Sequence, residues 1–344
     1  MKKLTQLSLL SLSLFGSAAA LACASCGCSL NTDYASQGMG NAPGWTVDLR
    51  YDYLNQNQLR SGTGTISPSA AAATPTASGF AEVEGFTANR YITASADYNN
   101  GDQWGVTISV PYIIRDHMTF GQSDDGVTID PANGYTSHAS GVGDIKVTAR
   151  YFGWAQERDW GIQFGLKLPT GNNAQTALMN GSTTLTAVDP GLQLGTGTTD
   201  LIVGAYKFGH LEGTDNWGYF TSFQYQSALN SSNAPSAIVN VSGTGGDYRP
   251  GNSLTVNAGF NYHGFAQWTP TLQFNYINKQ TDSGSMADTF STGGTLLYVT
   301  PGAVYRVNDQ ASLYTNVQVP LYQNLDGIQL APKYIASVGV RYHF

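Results

Sequence analysis

Three cysteines near the start of the chain are the side chains best suited to do chemistry. Cys23, Cys26 and Cys28 fall in the run Cys-Ala-Ser-Cys-Gly-Cys. Thiolates at this spacing can bind a soft metal such as Cu(I) or Zn(II), exchange disulfides, or form one disulfide with a thiol left over. No His follows Cys26 or Cys28, so covalent haem attachment is disfavoured. Three interpretations stay open: a structural disulfide, a metal site, and a redox or partner-docking site.

A second set of polar side chains recurs at every other position of strand-like segments. Between residues 45 and 53, for example, Trp, Val, Leu and Tyr alternate with charged residues. Successive side chains of a strand point to opposite faces, so each polar set shares one face. We expect these faces to line the inside of a barrel. The predicted lining residues are Asp48, Arg50, Asp52, Lys146, Arg150, Lys167, Gln224, Asn257, Gln273, Asn275, Gln318 and Arg341.

Charges inside a barrel can act in two ways. They can form a ladder of ion pairs that holds an occluded lumen, or a polar constriction that selects small solutes. Arg150 and Lys167 fall on neighbouring predicted strands and are expected to form a local basic patch.

The final segment, residues 332–344, indicates which kind of barrel this is. Its apolar face carries aromatic residues near both ends and finishes with Phe344, and Ile335 is the one apolar side chain on the polar face. This pattern is typical of the carboxyl-terminal strand of bacterial outer-membrane proteins. Pairing of the first and last strands would gather the inward residues of both: Asp48, Arg50, Asp52, Arg341 and His343.

A search with a period of two residues gives twelve strands. They run approximately over residues 45–53, 86–98, 104–114, 144–152, 160–169, 200–208, 217–226, 253–262, 268–277, 295–306, 311–321 and 333–344. Short and long connections alternate, as in an all-β transmembrane antiparallel up-and-down barrel with short periplasmic turns and long external loops. An even count places both termini in the periplasm. Trp104, Trp160, Trp217 and Trp268 open strands after short turns, which predicts an aromatic girdle.

Some segments depart from this regular pattern. Residues 201–203 and 296–299 put apolar side chains on both faces, which predicts a bulge or a contact with an inner plug. Residues 67–78 are rich in Ala, Pro, Thr and Ser, and are expected to form a mobile, unpacked part of the first external loop. Residues 115–142 are expected to form the second external loop.

The amino terminus and the composition agree with an outer-membrane location. Lys2 and Lys3 precede an apolar stretch, and Ala20 and Ala22 supply the small residues of a signal-peptidase site. We therefore expect a signal peptide at 1–22, a periplasmic cysteine-containing segment at 23–43 and a barrel at 44–344. Lipidation of Cys23 is an open alternative. A net charge of −7 gives no support to nucleic-acid binding.

Three motifs resemble a known family. They are GVGDIKVTARY at 141–151, GLKLPTG at 165–171 and DPGLQLGTGTTD at 189–200. Together they resemble the outer-membrane barrels assigned to transport in the meta-pathway of phenol degradation, over residues 140 to 344. The resemblance implies a relationship to long-chain fatty-acid transporters and passage of hydrophobic or aromatic compounds. The cysteine cluster departs from the family pattern.

These observations favour an outer-membrane channel, not an enzyme, for passive uptake or efflux of small hydrophobic or aromatic solutes. The alternative is a structural or redox-linked barrel that docks a periplasmic redox protein through its cysteines. A soft metal bound by these cysteines is the one cofactor that the sequence suggests. A membrane hydrolase has least support, because no His sits in a catalytic motif. The expected partners are outer-membrane lipid, lipopolysaccharide, the barrel-assembly machinery and a small-molecule solute.

Overall fold

The computed structural model describes residues 42–76, 79–80, 83–122, 129–178, 185–234 and 245–344. Nearly all of the regular structure is β. The strands are β1 Gly44–Gly62, β2 Gly64–Thr65, β3 Pro75–Thr76, β4 Gly79–Phe80, β5 Val83–Asn99, β6 Trp104–Gln122, β7 Ile129–Val142, β8 Ile145–Tyr151, β9 Trp160–Leu168, β10 Thr176–Leu178, β11 Leu185–Ala187, β12 Asp200–His210, β13 Trp217–Ala228, β14 Ser232–Ala234, β15 Gly246–Tyr248, β16 Ser253–Tyr262, β17 Trp268–Lys279, β18 Gly294–Arg306 and β19 Ala311–His343. One short helix, α1 Pro68–Ala72, and a 3-10 turn, Pro190–Leu192, complete the described elements.

Antiparallel pairing carries the sheet round into a closed barrel. The order is β1-β5-β6-β8-β9-β12-β13-β16-β17-β18-β19, and β19 pairs back onto β1, with Asp48 opposite Arg341. β7 pairs with residues 112–122 of β6, and β8 pairs with residues 104–109 of the same strand. β2 is a short addition to β1.

The last element contributes two strands to the wall. Residues 312–325 of β19 pair with β18, and residues 325–343 pair with β1. The chain reverses near Gly327, whose φ of 62° lies in the left-handed region that favours glycine. The Thr315 hydroxyl donates to the Ser337 carbonyl at 3.0 Å, which confirms that the two arms lie side by side. With both arms counted, twelve strands close the barrel in the described ranges, as the sequence predicts.

The alternation of residue type matches the two faces of the wall. On β1, Val47, Leu49 and Tyr51 are 39%, 50% and 38% exposed on the outside, whereas Asp48 and Arg50 are buried inside. Tryptophans at the starts of β6, β9, β13 and β17 are exposed in the same way, which agrees with the predicted girdle. The barrel is therefore an outer-membrane barrel with a lipid-facing apolar belt. No helix within the described ranges is long and apolar enough to span a membrane.

The connections define two ends of the barrel. We call the end with the connections 100–103, 152–159, 211–216, 263–267 and 307–310 the short-turn end, and the opposite end the long-loop end.

Two predictions about the long connections are wrong. β6 continues to Gln122 and β7 begins at Ile129, so much of residues 115–142 is a paired extension of the wall. The expectation of an unpacked segment at 67–78 is wrong for part of it: the Ser67 hydroxyl caps α1 by accepting from Ala70 N at 3.2 Å, and Ala71 and Ala72 are completely buried. Small side chains allow close packing here, which a search for large apolar residues overlooks.

A lysine on the outer wall tests the orientation of the strands. Leu272 lies on the outer face of β17 and is 41% exposed. Because a mid-membrane Lys costs about 2–4 kcal/mol, we expect Leu272→Lys to lower the free energy of unfolding by about that amount. The measurement is the urea midpoint of the folded band in heat-modifiability electrophoresis. Asp309→Lys, in an exposed turn, is the matched control and should leave the midpoint unchanged. Unchanged stability of Leu272→Lys would contradict the lipid-facing assignment.

Candidate functional site: the barrel interior

The barrel interior collects the residues predicted to line it. Nine of them are buried: Asp48, Arg50, Asp52, Arg150, Lys167, Asn257, Gln273, Asn275 and Gln318. Lys146, Gln224 and Arg341 are also on inward positions but are partly exposed. The lumen is therefore filled largely by side chains from the wall.

Arg150 is neutralised by a carboxylate two strands away. Its guanidinium binds both oxygens of Asp97, with Nη2 donating to Oδ2 at 2.7 Å and Nη1 donating to Oδ1. Thr107, on the strand between them, donates to Asp97 Oδ1 at 2.6 Å. Arg150 reaches this position because Gly105 lies beside it: a Cβ at Gly105 would approach the guanidinium to 2.6 Å. Such fork-to-fork pairs are among the strongest charge-assisted hydrogen bonds.

Lys167 lies between two buried carboxylates. Its ammonium group is 2.8 Å from Asp144 Oδ2 and 3.3 Å from Asp200 Oδ1. The predicted basic patch of Arg150 and Lys167 is therefore wrong, because each cation is paired with acid. The sequence interpretation did not include Asp144 and Asp200 among the lining residues. They share the alternation of Lys146 and Ile202 on their own strands, and that periodicity could have found them.

Closure of the barrel brings the first and last strands into polar contact, as predicted. Arg341 Nε lies 3.8 Å from Asp48 Oδ2, and the Tyr314 hydroxyl donates to Asp48 Oδ1 at 2.9 Å. Asp52 accepts from Arg50 Nε at 2.8 Å and from the Ser337 hydroxyl at 2.6 Å. The seam therefore carries two neighbouring polar groups, one around Asp48 and one around Asp52.

The opposite wall carries amides instead of charges. Asn275 Nδ2 donates to Asn257 Oδ1 at 2.8 Å, and Asn257 Nδ2 donates to the Ser222 hydroxyl at 3.1 Å. The Thr300 hydroxyl donates to Asn275 Oδ1 at 2.6 Å. This ladder crosses four neighbouring strands, β13, β16, β17 and β18. The lumen therefore has a charged side and a neutral polar side.

An apolar cluster lies beyond the charges, toward the long-loop end. The inward faces of β1, β5 and β6 carry the apolar residues Leu54, Tyr91 and Ile113. Each of them lies two positions along its strand from a polar residue on the same inward face. The whole cluster consists of Leu54, Tyr91, Ile113, Ala139, Leu194, Leu296, Tyr298, Leu325, Ala331 and Ile335. We call this group the luminal apolar cluster. The sequence interpretation of the lining gave polar residues alone and missed this group.

The luminal apolar cluster explains two exceptions in the sequence pattern, residues 296–299 and Ile335. Leu296 and Tyr298 point inward and join it, and the pairing of β18 shifts register at Leu297 and Tyr298. Of the two alternatives expected for residues 296–299, a bulge or a contact with an inner plug, the bulge is confirmed. Ile335, the exception on the polar face of the last strand, is 3% exposed within the same cluster.

One segment of a long connection folds into the lumen and supplies Leu194 to the cluster. Arg115 Nη1 donates to the carbonyls of Gly191 and Gln193, at 3.2 and 3.0 Å. Farther along, Lys167 Nζ donates to the Thr198 carbonyl at 3.2 Å. We call residues 189–199 the inward segment. Two wall cations thus hold it by its backbone carbonyls.

Glycines allow the inward segment to approach the wall. A Cβ at Gly195 would lie 2.4 Å from Asp144 Oδ1 and 2.7 Å from Gly171 Cα. Asp144 in turn accepts from the backbone nitrogens of Gly171 and Thr196, both at 3.0 Å. Gly197 has a φ of 69°, which lies in the left-handed region that favours glycine, shortly before β12 begins at Asp200. The glycine-rich motif therefore permits close contact between the inward segment and the barrel wall.

A small cavity opens inside the wall near the short-turn end. Its volume is about 140 Å³, and its lining includes Phe220, Gln273, Tyr314 and Arg341.

 A separate apolar groove of about 430 Å³ lies on the outer, lipid-facing wall beside Ala94. The inner cavity combines aromatic rings with polar groups, and it lies on the path between the amide ladder and the short-turn end.

The histidines lie in different parts of the barrel, and His138 Nδ1 lies 2.6 Å from Asp116 Oδ1. His117, expected in a loop, is fully buried on β6, where Nδ1 and the Thr87 hydroxyl are 2.8 Å apart. His210 and His263 lie with ring centroids 6.0 Å apart at the short-turn end. Burial, and to a smaller degree His210, lower the pKa of His263.

The cysteine cluster lies outside the described residues. Its disulfide, metal and docking interpretations therefore stay predictions, as do the signal peptide and lipidation at Cys23. Within the described ranges, no group of three or more His, Cys, Asp or Glu side chains is arranged to hold a metal ion.

Solved structures share this fold at low sequence identity. An outer membrane channel of Pseudomonas putida F1 is 14% identical, with a TM-score of 0.59 over 88% of this chain and 96% of that chain. The toluene transporter TbuX of Ralstonia pickettii is 13% identical, with a TM-score of 0.44 over 88% and 90%. A FadL homologue of Pseudomonas aeruginosa is 11% identical, with a TM-score of 0.45 over the same shares. At 14% identity the likeness to the Pseudomonas putida channel shows the fold alone.

No curated protein matches the sequence of this chain. Residues 112–330 match the model of the family described as "Putative MetA-pathway of phenol degradation". This match covers more than half of the chain and includes the three motifs that carry the resemblance. The chain therefore belongs to that family.

Proposed function

We propose that this protein is an outer-membrane channel for passive passage of small apolar or aromatic solutes. The observation that carries the proposal is the luminal apolar cluster, which lies inside the barrel on the long-loop side of Asp48, Arg50 and Asp52. The interior of a general porin is polar and water-filled. Ions lose hydration beside an apolar constriction, whereas an apolar solute gains contact there. The family description, which refers to phenol degradation, supports the same solute class.

The proposal includes the orientation and partners of the barrel. The short-turn end and both termini face the periplasm, and the long-loop end faces outward, as in bacterial barrels generally. The lipid-facing belt contacts outer-membrane lipid and lipopolysaccharide, and the barrel-assembly machinery inserts the chain. The protein acts without catalysis, because transfer down a gradient needs no bond to be broken.

Flux through liposomes containing the refolded protein tests the proposed function. We expect toluene to pass faster than a neutral sugar or an inorganic ion, because the apolar cluster favours the solute that gives up least hydration. The measurement is initial flux for each solute, with protein-free liposomes as the baseline. A channel that passes sugars and ions as readily as toluene would refute the proposal in favour of a general pore.

A polar substitution in the luminal apolar cluster tests its role directly. Leu194 is 4% exposed and belongs to the inward segment, not to the wall, so Leu194→Ser should leave the strands intact. We expect the variant to lose toluene flux severalfold and to gain ion conductance. Leu185→Ser is the matched control, because Leu185 lies in the same connection but is 37% exposed. Equal toluene flux in both variants would exclude the cluster as the selective element.

Removal of a wall cation tests whether the inward segment restricts the lumen. Lys167→Met leaves Asp144 and Asp200 without their ammonium partner, a change that typically costs about 3–5 kcal/mol for a buried pair. We expect lower thermal stability and higher single-channel conductance in planar bilayers as the segment is released. Lys207→Met is the control, because Lys207 is half exposed and 3.5 Å from Asp159. Unchanged conductance in Lys167→Met would show that the segment does not limit flow.

A further inference from the structure

The cavity near the short-turn end has the size of a single aromatic ring. Its volume is about 140 Å³. Apolar cavities of about 150 Å³ bind one benzene molecule in proteins. The rings of Phe220 and Tyr314 form part of its wall, and both side chains are buried. Aromatic walls of this kind favour contact with a planar ring.

An unpartnered polar atom lies in the same wall. Gln273 is 5% exposed, and its Oε1 has no hydrogen-bond partner within the described part of the chain. A buried carbonyl oxygen without a partner costs free energy, and such atoms in a native fold call for an explanation. An amide oxygen is an acceptor, so the missing partner is a donor.

The fold holds this acceptor and the Phe220 ring in place through a glycine. Phe220, Gly259 and Gln273 are neighbours in register across β13, β16 and β17. A Cβ at Gly259 would lie 2.4 Å from the Phe220 ring and 2.9 Å from Gln273 Cγ. Both side chains therefore fold over the bare backbone of Gly259 and lie next to each other.

The other side of the cavity is equally constrained. The Tyr314 hydroxyl is held by Asp48 at 2.9 Å, and Arg341 lies over the Tyr314 ring with its Cζ 5.2 Å from the centroid. The guanidinium also lines the cavity, and it can only donate hydrogen bonds.

We propose that this cavity is a binding subsite for a hydroxylated single-ring aromatic, with Gln273 Oε1 accepting the hydrogen bond from the hydroxyl group. A phenolic hydroxyl donates to Gln273 and still offers an oxygen to a donor such as Arg341. A plain hydrocarbon offers no donor to Gln273, and a carboxylate has no proton to give to it. The inference rests on the proposed function for the route that brings a solute to the subsite, but binding itself is measurable without flux.

Equilibrium binding tests the subsite. The probes are 4-fluorophenol, 4-fluorotoluene and 4-fluorobenzoate, measured by fluorine NMR with the full chain in nanodiscs and with empty nanodiscs subtracted. We expect 4-fluorophenol to bind about tenfold more tightly than 4-fluorotoluene, the effect of one buried hydrogen bond. Tightest binding by 4-fluorobenzoate, equal binding of phenol and toluene probes, or no binding by any probe would overturn the proposal.

Variants assign the preference to Gln273. Gln273→Met keeps the length of the side chain and removes the acceptor, so the phenol probe should fall to the affinity of the toluene probe, which stays unchanged. Gln224→Met is the matched control: Gln224 is an inward amide outside the cavity, and it accepts from Gln163 at 3.1 Å. A parallel loss of both probes in Gln273→Met would overturn the assignment. If that variant does not assemble, the ranking of the three probes on the native chain still decides the proposal.

Flux and binding separate this inference from the proposed function. If toluene passes through the barrel but the phenol probe is not preferred in binding, the channel proposal stands and the subsite proposal is refuted. If the phenol probe binds selectively but no aromatic solute passes, the subsite proposal stands and the channel proposal is refuted.

Discussion

Closure of the sheet is the constraint on which the rest of this structure depends. A strand in hydrocarbon must pair on both edges, because lipid offers no partner for a bare backbone group. β1 meets this requirement by pairing with the second arm of β19, from Thr46 opposite His343 onward. Once the wall is closed, every second side chain must enter a confined interior. That interior must then accommodate charges, amides and apolar groups together.

The interior resolves this crowding by separating residue types. Charges pair with charges, as Arg150 does with Asp97 and Lys167 with two carboxylates. Amides bond to one another on the opposite wall, and apolar side chains gather toward the long-loop end around Leu54. A buried charge without its partner would destabilise the fold. Lys167, which pairs with two carboxylates, also donates to the Thr198 carbonyl and so fixes the inward segment. The contacts that stabilise the barrel are therefore the same contacts that hold the inward segment in the lumen.

Much of the wall could be predicted, because strand alternation is a local property. Leu49 and Arg50 reach opposite faces whatever the rest of the fold does, and lipid and lumen then select their types. Local pattern also located the irregular residues 296–299. Predictions about loops were weaker, since residues 67–76 and 115–142 contain too few large apolar groups to show that they pack or pair.

The sequence by itself determined the class of fold, the number of strands, the two faces of the wall and the meeting of Asp48, Arg50 and Asp52 with Arg341 and His343 at the seam. These follow from a period of two residues and from the need to close the sheet. Only the tertiary structure decided which side chains meet across the lumen. Asp144, Lys167 and Thr198 are far apart in the chain, and Gln273 gains its neighbours through Gly259 on another strand. Such contacts depend on the register between strands and on how a connection folds inward, and no local pattern encodes either.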